Sequence, residues 1–257
     1  MKFVTYRVAN RVATIRLNRS EKRNALNAQV VTELKQAFVQ AAEDKEAKVI
    51  VLSAAGAAFC AGADLAYLQE LQTNSYEENL ADSTHLMELF AQIYTMPKVV
   101  IAKIQGHAIA GGCGLATVCD LSVSVEEAKF GYTEVRIGFI PAIVKMFLLR
   151  KIGEGKSKEL LLTGDLISAA EAKDFGLINQ VVAAPDLDEV VDSLAQKLVA
   201  KNSGQSMGMT KQMIAQVQGL RLEDGLKYAA AQNVEARATE DCQKGIAAFL
   251  NKDKPRW

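Results

Sequence analysis

The chain has 257 residues, 49% of them hydrophobic, and its 30 basic side chains balance 30 acidic ones. That length is enough for one large apolar core or two modest ones. Balanced charge argues against a nucleic acid or an anionic membrane surface as the partner. No apolar run approaches the ~20 residues of a membrane span. We therefore expect a globular protein that binds neither nucleic acid nor membrane, although local basic clusters could hold a phosphorylated small molecule.

The cysteines indicate a reducing compartment. Cys60, Cys113, Cys119 and Cys242 show no C-x-x-C spacing, and the chain has only two histidines, so a zinc site is not predicted. Cys60 and Cys113 are expected to pack as small apolar residues, and a catalytic thiol is disfavoured because no base can be placed beside either. The first residues, 1–8, alternate like a strand and lack the apolar stretch of a signal peptide. We expect a cytoplasmic location, although an organellar presequence could precede the given chain.

The first two-thirds of the chain alternate strand and helix patterns. Short apolar runs predict strands, and apolar residues at i, i+3 and i+4 predict helices. In chain order the elements are a hairpin (2–8 and 12–17, turning at 9–11), a helix over 28–43, a strand over 48–52, a helix over 77–94, and strands over 99–104 and 121–125.

From Lys156 onward the pattern is almost wholly helical. A helix ends at Gly164, a capping box over 168–171 begins the next, and amphipathic stretches follow. These stretches cover 187–200, 206–217, 222–238 and a short segment up to 250. The chain is thus predicted to have an α/β core, residues 1–200, and a helical C-terminal region, residues 201–257. Trp257, the only tryptophan, is expected either to fray or to dock into a partner subunit.

Two segments of small residues, about fifty positions apart, have the pattern of ligand-binding bends. They are 58–65 (AFCAGADL) and 106–116 (GHAIAGGCGLA), and each follows an apolar strand-like run. Small residues let a ligand approach the backbone and leave N–H groups free, so two such bends can direct two donors at one carbonyl oxygen, as in an oxyanion hole. The run 111–114 opens a helix predicted over 115–119, whose dipole favours an oxygen that gains negative charge. The alternative is close helix–strand packing alone; neither a dinucleotide nor a P-loop pattern is present.

Few side chains stand out as acids or bases without further information. Glu134, in FGYTEV, fits best as a solvated glutamate or one paired with Arg136. Asp64 and Asp120 follow the two bends and are expected to cap helices or bind backbone N–H groups. The basic loop 19–23 fits a phosphate-binding loop and a solvated loop equally well.

Taken together, these segments resemble the crotonase superfamily, the enoyl-CoA hydratase/isomerase group. Five segments in order carry the resemblance, and they are 17–26, 58–65, 106–120, 130–141 and 162–179. The resemblance implies a spiral of ββα turns with a C-terminal α-helical trimerisation region, assembled as a homotrimer or a hexamer. It also implies an acyl-coenzyme A thioester as substrate and no metal or redox cofactor, since coenzyme A is part of the substrate.

The resemblance also assigns roles by position. The N–H groups of Ala63 and Gly111 would form the oxyanion hole, and Glu134 would exchange a proton with a substrate carbon. Burial beside an acyl chain would raise the pKa of that carboxyl group. The implied coenzyme A-binding residues are Arg23, Ala25, Leu26, Ala61, Asp64, Leu65, Gly112, Phe249 and Lys252, the last two in the same or a neighbouring subunit.

The sequence departs from the family pattern in two places. Gly114 stands where hydratases carry a first glutamate that orients water. A single retained glutamate is instead the pattern of Δ3,Δ2-enoyl-CoA isomerases, and decarboxylating members also use fewer acid–base groups. The second departure is 142–147 (AIVKMF) in place of a glycine-rich stretch. Bulkier residues there are expected to reshape the acyl pocket, and Lys145 fits either a contact with an acidic acyl group or a surface lysine.

The predicted function is therefore that of an enzyme acting on an enoyl-CoA thioester through an oxyanion-stabilised enolate. Whole-chain resemblance to bacterial enoyl-CoA and methylglutaconyl-CoA hydratases favours an enoyl-CoA hydratase. The alternatives are a Δ3,Δ2-enoyl-CoA isomerase or an acyl-CoA decarboxylase that uses Glu134 alone, and below these a non-catalytic coenzyme A-binding scaffold. A thioester hydrolase is disfavoured because no serine lies in a G-x-S-x-G turn.

Overall fold

A computed structural model describes all 257 residues, and its strands form two sheets. The strands are β1 (Val4–Ala9), β2 (Val12–Leu17), β3 (Val49–Ala54), β4 (Ala58–Cys60), β5 (Val99–Ile104), β6 (His107–Ile109), β7 (Leu121–Val125), β8 (Lys129–Gly131), β9 (Ile167–Ser168) and β10 (Gln180–Val182). The helices are α1 (Ala28–Glu43), α2 (Leu65–Leu71), α3 (Tyr76–Thr95), α4 (Gly111–Val118), α5 (Val144–Thr163), α6 (Ala169–Asp174), α7 (Leu187–Lys201), α8 (Gly204–Val217), α9 (Leu222–Ala238) and α10 (Glu240–Leu250).

The larger sheet has the order β1-β2-β3-β5-β7-β10, and the smaller sheet has the order β4-β6-β8-β9. Each long strand β3, β5 and β7 is followed by a short strand in the smaller sheet, and then by a helix. Consecutive long strands pair in parallel, and so do the short strands β4, β6 and β8. The fold is therefore the predicted spiral of ββα turns. The short strands β4, β6 and β8 lie side by side in the smaller sheet.

Burial explains why the long strands lie at the centre. All six residues of β3 are buried, as expected for a parallel strand covered on both faces. Helix α1 contributes its Val30, Leu34 and Phe38 face to the same apolar core. The side chain of Asn27 caps this helix by accepting a hydrogen bond from the Val30 N–H.

Most predicted elements are confirmed. The hairpin turns where Asn10 and Arg11 both have positive φ, and the helix predicted over 28–43 has those bounds. The helix before Gly164 ends in a left-handed cap, and the Ser168–Glu171 capping box is formed.

One prediction is wrong in detail, and three short elements were missed. The region after Lys156 is almost wholly helical as predicted, but β9 joins the smaller sheet and β10 pairs with β7 at the edge of the larger one. The helix at the second bend begins at Gly111 rather than at residue 115. Helix α2 was not predicted; its first turn is capped by Asp64, whose side chain accepts from the Ala66 N–H at 3.0 Å.

The C-terminal residue docks on its own chain, which corrects the expectation that it frays or docks into a partner. The indole N–H of Trp257 donates to the Lys201 carbonyl at 3.0 Å, and its own carbonyl oxygen accepts from Arg11 at 2.5 Å. The C-terminal region consists of α8, α9 and α10; the division of the chain at residue 200 stays a prediction. No helix is both long and apolar enough to cross a membrane.

Candidate active site

The two predicted bends lie in contact with each other. Strand β4 leads into Gly62, whose φ of +92° suits a residue without a side chain. A Cβ atom on Gly62 would lie 2.9 Å from the Cβ of Ala110 and 3.6 Å from the amide nitrogen of Gly111. The parallel pairing of β4 with β6 produces this contact, because both strands end at the same edge of the smaller sheet.

Each bend presents a backbone N–H group. The N–H of Ala63 donates no hydrogen bond within the chain, and the residue is exposed. Gly111 is the first residue of α4, so its N–H has no partner within the helix. The residue before it, Ala110, has a φ of 49° and a ψ of −122°, a strained conformation of the kind found at functional sites. This pair of donors is suited to an oxygen that gains negative charge.

Gly112 is a glycine because the second bend runs against the first strand. A Cβ atom at this position would lie 2.1 Å from the carbonyl oxygen of Cys60. Since that oxygen belongs to the backbone of β4, no side-chain movement would relieve the overlap. The close approach of α4 to β4 therefore requires glycine here.

The loop before α1 pairs with the first bend. The Leu26 N–H donates to the Gly62 carbonyl at 2.7 Å, and the Ala61 N–H donates to the Arg23 carbonyl at 3.0 Å. Ala25 and Leu26 are buried, whereas Arg23 is exposed. The predicted coenzyme A-binding positions before residue 70 thus lie together, and exposed Leu65 begins the helix that follows them.

A buried polar framework holds this loop, and sequence reasoning missed it. The side chain of Asn24 donates to the carbonyls of Ala55 and Ala58, both at 2.8 Å, and accepts from the Arg19 N–H at 3.0 Å. Positive φ at Asn24 (57°) is tolerated best by asparagine among ordinary residues. The available signal was an asparagine between a basic loop and an apolar run, which by itself does not distinguish a turn from a buried network.

Arg19 has neither of the two roles expected for the basic loop. Its guanidinium group is buried and lies 2.6 Å from the Asp64 carboxylate. Although burial acts to raise the pKa of Asp64, hydrogen bonds from Arg19 and from the Ala66 N–H hold it below its ordinary value. Asp64 is therefore ionised and bound within the protein, and its predicted backbone contact is confirmed.

Glu134 follows β8 and begins a 3-10 helix, Glu134–Ile137. Its Oε2 atom is buried without a hydrogen-bond partner, and this desolvation raises the pKa of the carboxyl group above its ordinary value. The expectation of a pair with Arg136 is wrong, because Arg136 binds Asp165 instead. Glu134 is thus an unpaired carboxyl group with a raised pKa, as expected of a general acid or base.

Strand β8 connects Glu134 to the second bend. Gly131, its last residue, pairs with Ile109 of β6 and accepts a hydrogen bond from the Ala110 N–H at 2.8 Å. Ala110 precedes Gly111, and Glu134 lies three residues after Gly131. The smaller sheet therefore joins the segment that carries Glu134 to the strand that leads into the second amide donor.

The two departures from the family pattern contact each other. A Cβ atom on Gly114 would lie 2.4 Å from Cγ1 of Val144 and 3.2 Å from Cε1 of Phe90. The space beside Gly114 is therefore filled by side chains of α5 and α3, and a glutamate side chain does not fit there unless Val144 moves. Lys145 is exposed, which agrees with a surface lysine.

The comparisons with known proteins identify the family. A profile described as enoyl-CoA hydratase/isomerase matches residues 7–257. The chain belongs to the enoyl-CoA hydratase/isomerase family. A relative from Thermus thermophilus, whose name assigns it provisionally to the enoyl-CoA hydratases, is 44% identical over 246 residues, which are 96% of this chain and 97% of the relative. The mitochondrial enoyl-CoA hydratase of Pongo abelii is 35% identical over 249 residues, covering 96% of this chain and 84% of that protein.

Solved structures of the family share the fold. The enoyl-CoA hydratase of Mycobacterium smegmatis superposes with a TM-score of 0.92 at 32% identity and covers 99% of this chain and 98% of its own. The enoyl-CoA hydratase of Bacillus anthracis gives a TM-score of 0.90 at 32% identity and the same coverage of both chains. This chain is thus an enzyme of the hydratase/isomerase type with the crotonase fold.

Two predicted binding residues lie apart from the bends. Phe249 is 82% exposed near the end of α10, and Lys252 is exposed just beyond it. Helix α10 packs against α8 and α9. Within one chain these residues therefore do not complete the site.

The thiols in the bends behave as predicted. Cys60 and Cys113 are fully buried, and burial raises the pKa of each to about 12. His107 is exposed, and its Nδ1 atom accepts a hydrogen bond from the Lys129 N–H at 3.1 Å. Protonated buried thiols are poor nucleophiles, which agrees with the expectation that Cys60 and Cys113 pack as small apolar residues.

Proposed function

We propose that this enzyme adds water across the double bond of an enoyl-CoA thioester. The observation that supports it most directly is the buried Oε2 atom of Glu134, which has no hydrogen-bond partner and lies three residues after the strand that binds the backbone next to Gly111. A carboxyl group in this state can accept and return a proton at neutral pH. Among the buried side-chain nitrogen and oxygen atoms, only this one and Oε1 of Gln105 lack a hydrogen-bond partner, and the Gln105 amide does not titrate.

In this mechanism the thioester oxygen accepts hydrogen bonds from the Ala63 and Gly111 N–H groups. The polarised double bond is attacked at the β-carbon by water while ionised Glu134 takes a proton from that water. The resulting enolate oxygen remains bound to the two amides, which typically contribute about 3 kcal/mol each in such sites. Glu134 then returns the proton to the α-carbon, so the water oxygen ends on one carbon and a proton on the next.

We also propose that the coenzyme A moiety lies along the loop that pairs with the first bend. The residues assigned to it are Arg23, Ala25, Leu26, Ala61, Asp64, Leu65 and Gly112, with Phe249 and Lys252 supplied by a neighbouring subunit. In this assignment Asp64 acts by holding the loop, since its carboxylate is already bound to Arg19. The proposed reaction is a proton transfer and a water addition, so it needs no metal or redox cofactor.

A second candidate function is supported by the packing at Gly114. Because Val144 and Phe90 fill the space beside this residue, position 114 supplies no carboxyl group, and Glu134 is the one carboxyl group assigned to the reaction. An isomerase needs only one base, which removes a proton from one carbon and returns it two carbons away, and a decarboxylase needs still fewer groups. A coenzyme A-binding scaffold without turnover is the lowest alternative.

Mass spectrometry after incubation with crotonyl-CoA, 3-methylglutaconyl-CoA and a 3-enoyl-CoA in heavy-oxygen water separates these functions. Incorporation of heavy oxygen into a hydroxyacyl product is the expected result. A shift of the double bond without a change in mass would establish the isomerase, and loss of carbon dioxide the decarboxylase. Binding without turnover of any of the three would contradict the enzyme mechanism.

The role of Glu134 is tested by Glu134→Gln. We expect turnover of the active thioester to fall by about 100-fold or more, the usual contribution of a general acid–base group. Glu127→Gln, which changes an exposed glutamate just before β8, is the matched control and should leave turnover unchanged. Equal activity of the two variants would remove Glu134 from the mechanism.

We further propose a homotrimer or hexamer in the cytoplasm. The apolar side chains exposed on the last two helices support assembly, and they are Leu222, Leu226, Val234, Ile246, Phe249 and Leu250. Four free thiols are consistent with a reducing compartment. Analytical ultracentrifugation should give three or six times the mass of one chain, and a monomer at micromolar concentration would contradict the assembly. Cell fractionation tests the location.

A further inference from the structure

Helix α4 carries the Gly111 amide but is a weak helix by itself. Its eight residues, GGCGLATV, include three glycines, and its N-cap residue Ala110 makes no side-chain capping hydrogen bond. Each glycine inside a helix costs roughly 1 kcal/mol relative to alanine. Contacts with other elements must therefore hold α4 in place.

Near its C-terminal end, α4 is held by a pair of buried hydroxyl groups. The Thr117 hydroxyl donates to the Cys113 carbonyl at 2.8 Å and lies 2.7 Å from the Tyr132 hydroxyl. Since the single proton of Thr117 is used toward Cys113, Tyr132 is the donor to Thr117. Tyr132 is 0% exposed, so its hydroxyl has no access to solvent.

The same short segment of chain contacts both ends of α4 and carries the candidate base. Gly131 accepts from the Ala110 N–H, next to the amide of Gly111, at 2.8 Å. Tyr132 reaches Thr117 near the other end of the helix, and Glu134 follows two residues later. A shift of Tyr132 relative to α4 would therefore move the carboxyl group relative to the amide donor.

Charge interactions agree with this proximity. Burial raises the pKa of Tyr132 well above its ordinary value, and the nearby Glu134 carboxylate adds to the effect. The same carboxylate contributes, after burial, to the raised pKa of Cys113 on α4. The Tyr132 hydroxyl thus stays protonated and remains a hydrogen-bond donor over the working pH range.

We propose that Tyr132, through its hydrogen bond to Thr117, is a positioning residue that fixes the Glu134 carboxylate relative to the Gly111 N–H. The inference rests on the proposed function, because it concerns the distance between the proposed base and the proposed oxyanion donor. Tyr132 touches neither substrate nor reacting atoms in this role. Its aromatic ring fills the core, and its hydroxyl sets the register between β8 and α4.

The test compares Tyr132→Phe and Thr117→Val with Tyr6→Phe. The first two remove one partner each of the hydroxyl pair while keeping the side-chain volume. The control removes another tyrosine hydroxyl, which donates to Asp44 at 2.8 Å and ties β1 to the end of α1. All three are compared with the wild-type protein in kcat, KM, the pH dependence of kcat/KM, and thermal midpoint.

We expect Tyr132→Phe to lower kcat by about tenfold with KM changed less than about twofold, since displacement of a reacting group by a fraction of an ångström slows the reaction. The apparent pKa of the base in the kcat/KM profile should also move. Thr117→Val should have the same effect. The double variant Tyr132→Phe/Thr117→Val should be no slower than the slower of the two single variants. Thr117→Ser, which keeps a hydroxyl group at this position, should have a rate close to that of the wild-type protein. Tyr6→Phe should change only the thermal midpoint.

A lower thermal midpoint with unchanged kcat and unchanged pH profile in Tyr132→Phe and Thr117→Val would overturn the proposal and make the hydroxyl pair purely structural. Glu134→Gln in the same assay distinguishes this failure from that of the proposed function. If Glu134→Gln loses activity while Tyr132→Phe does not, only the positioning role falls. If Glu134→Gln keeps full activity, the assignment of the base falls, and the positioning role with it.

Discussion

At the scale of single residues, the carboxyl group of the proposed base Glu134 opposes folding when it is ionised. Its pKa is raised in the folded protein by desolvation, so the folded state binds more protons than the unfolded state between the ordinary pKa and the raised one. Stability therefore falls as pH rises through that window and stays lower above it. The ionised group is the form that the proposed water addition requires.

Glu134→Gln should accordingly stabilise the protein at pH 8 while it lowers turnover. We expect the thermal midpoint to rise by about 2 °C, a modest value because the group keeps partial contact with solvent. At pH 4 the two proteins should unfold at nearly the same temperature, because the wild-type carboxyl group is then protonated. Differential scanning calorimetry at both pH values measures the difference. A difference in thermal midpoint between the two proteins that is larger at pH 4 than at pH 8 would contradict the expected direction of the pH dependence.

The Gly114 site predicts a compensating pair of substitutions. Gly114→Ala places a methyl group 2.4 Å from Val144 Cγ1, and such overpacking costs about 1–3 kcal/mol. Because the obstructing atom belongs to a side chain, Val144→Ala in the same protein should recover part of that loss. Urea denaturation of both single variants and the double variant gives the coupling energy.

Gly112→Ala is the matched comparison for the Gly114→Ala and Val144→Ala variants. Its methyl group would overlap the carbonyl oxygen of Cys60 at 2.1 Å, and shortening a neighbouring side chain does not move a backbone atom. The loss should therefore persist when Val144→Ala is added. Additive losses at Gly114 and Val144 would show that α5 does not pack against Gly114 in solution.

At the scale of elements, a partly buried ion pair ties α8 to the larger sheet. Lys211 lies 2.7 Å from Asp120, which also accepts a hydrogen bond from the Val100 N–H at 2.7 Å. Burial raises the pKa of Asp120 and lowers that of Lys211, in each case against the attraction of the partner. Such a pair adds little to the free energy of unfolding as a whole, but removing one of its two residues lowers that free energy because the other charge is left without a partner.

Lys211→Met should lower the free energy of unfolding by about 2 kcal/mol at pH 8, because half-buried Asp120 is left ionised without this partner; a fully buried pair typically loses about 3–5 kcal/mol. The loss should be smaller at pH 5, where Asp120 with its raised pKa takes up a proton more readily. Adding Asp120→Asn should recover much of the loss at pH 8. Lys227→Met, which breaks an exposed pair with Glu223, should change stability by less than about 0.5 kcal/mol. Urea titrations at the two pH values test all four proteins.

The short strands show why element prediction was incomplete. Strand β10 has only three residues, none of them fully buried, so it has neither the length nor the apolar alternation of a strand. It is a strand because the exposed edge of β7 accepts it in parallel pairing. Long periodic elements such as α1 were predicted with their observed bounds, because an apolar stripe of four turns is visible in the sequence alone.

At the scale of the whole molecule, Trp257 closes the C-terminal region onto the core. Besides its hydrogen bond to Lys201, its ring lies so close to α10 that a Cβ atom on Gly245 would be 2.9 Å from it. The ring is half-buried. It is also the only tryptophan, so its fluorescence reports on this contact alone.

Trp257→Ala should lower the free energy of unfolding by about 2 kcal/mol, less than the 3–5 kcal/mol typical of a fully buried large aromatic residue. Tyr76→Ala, at an aromatic residue that is 76% exposed, should change it by less than about 0.5 kcal/mol. Urea denaturation followed by circular dichroism measures both. In the wild-type protein, a tryptophan emission that does not change on unfolding would contradict the docked position.

The sequence alone determined the alternation of strands and helices and the two small-residue bends, because these depend on local periodicity and on residue types in a fixed order. Its resemblance to the family implied the spiral fold, Glu134 as the residue to examine and Gly114 as the departure. Only the tertiary structure showed that the bends touch, that Arg19 binds Asp64, that Arg136 leaves Glu134 unpaired, and that Val144 fills the space beside Gly114. These facts join residues far apart in the chain. Burial, partner choice and free volume are properties of contacts between segments, and no local pattern encodes which distant side chain will arrive at a given position.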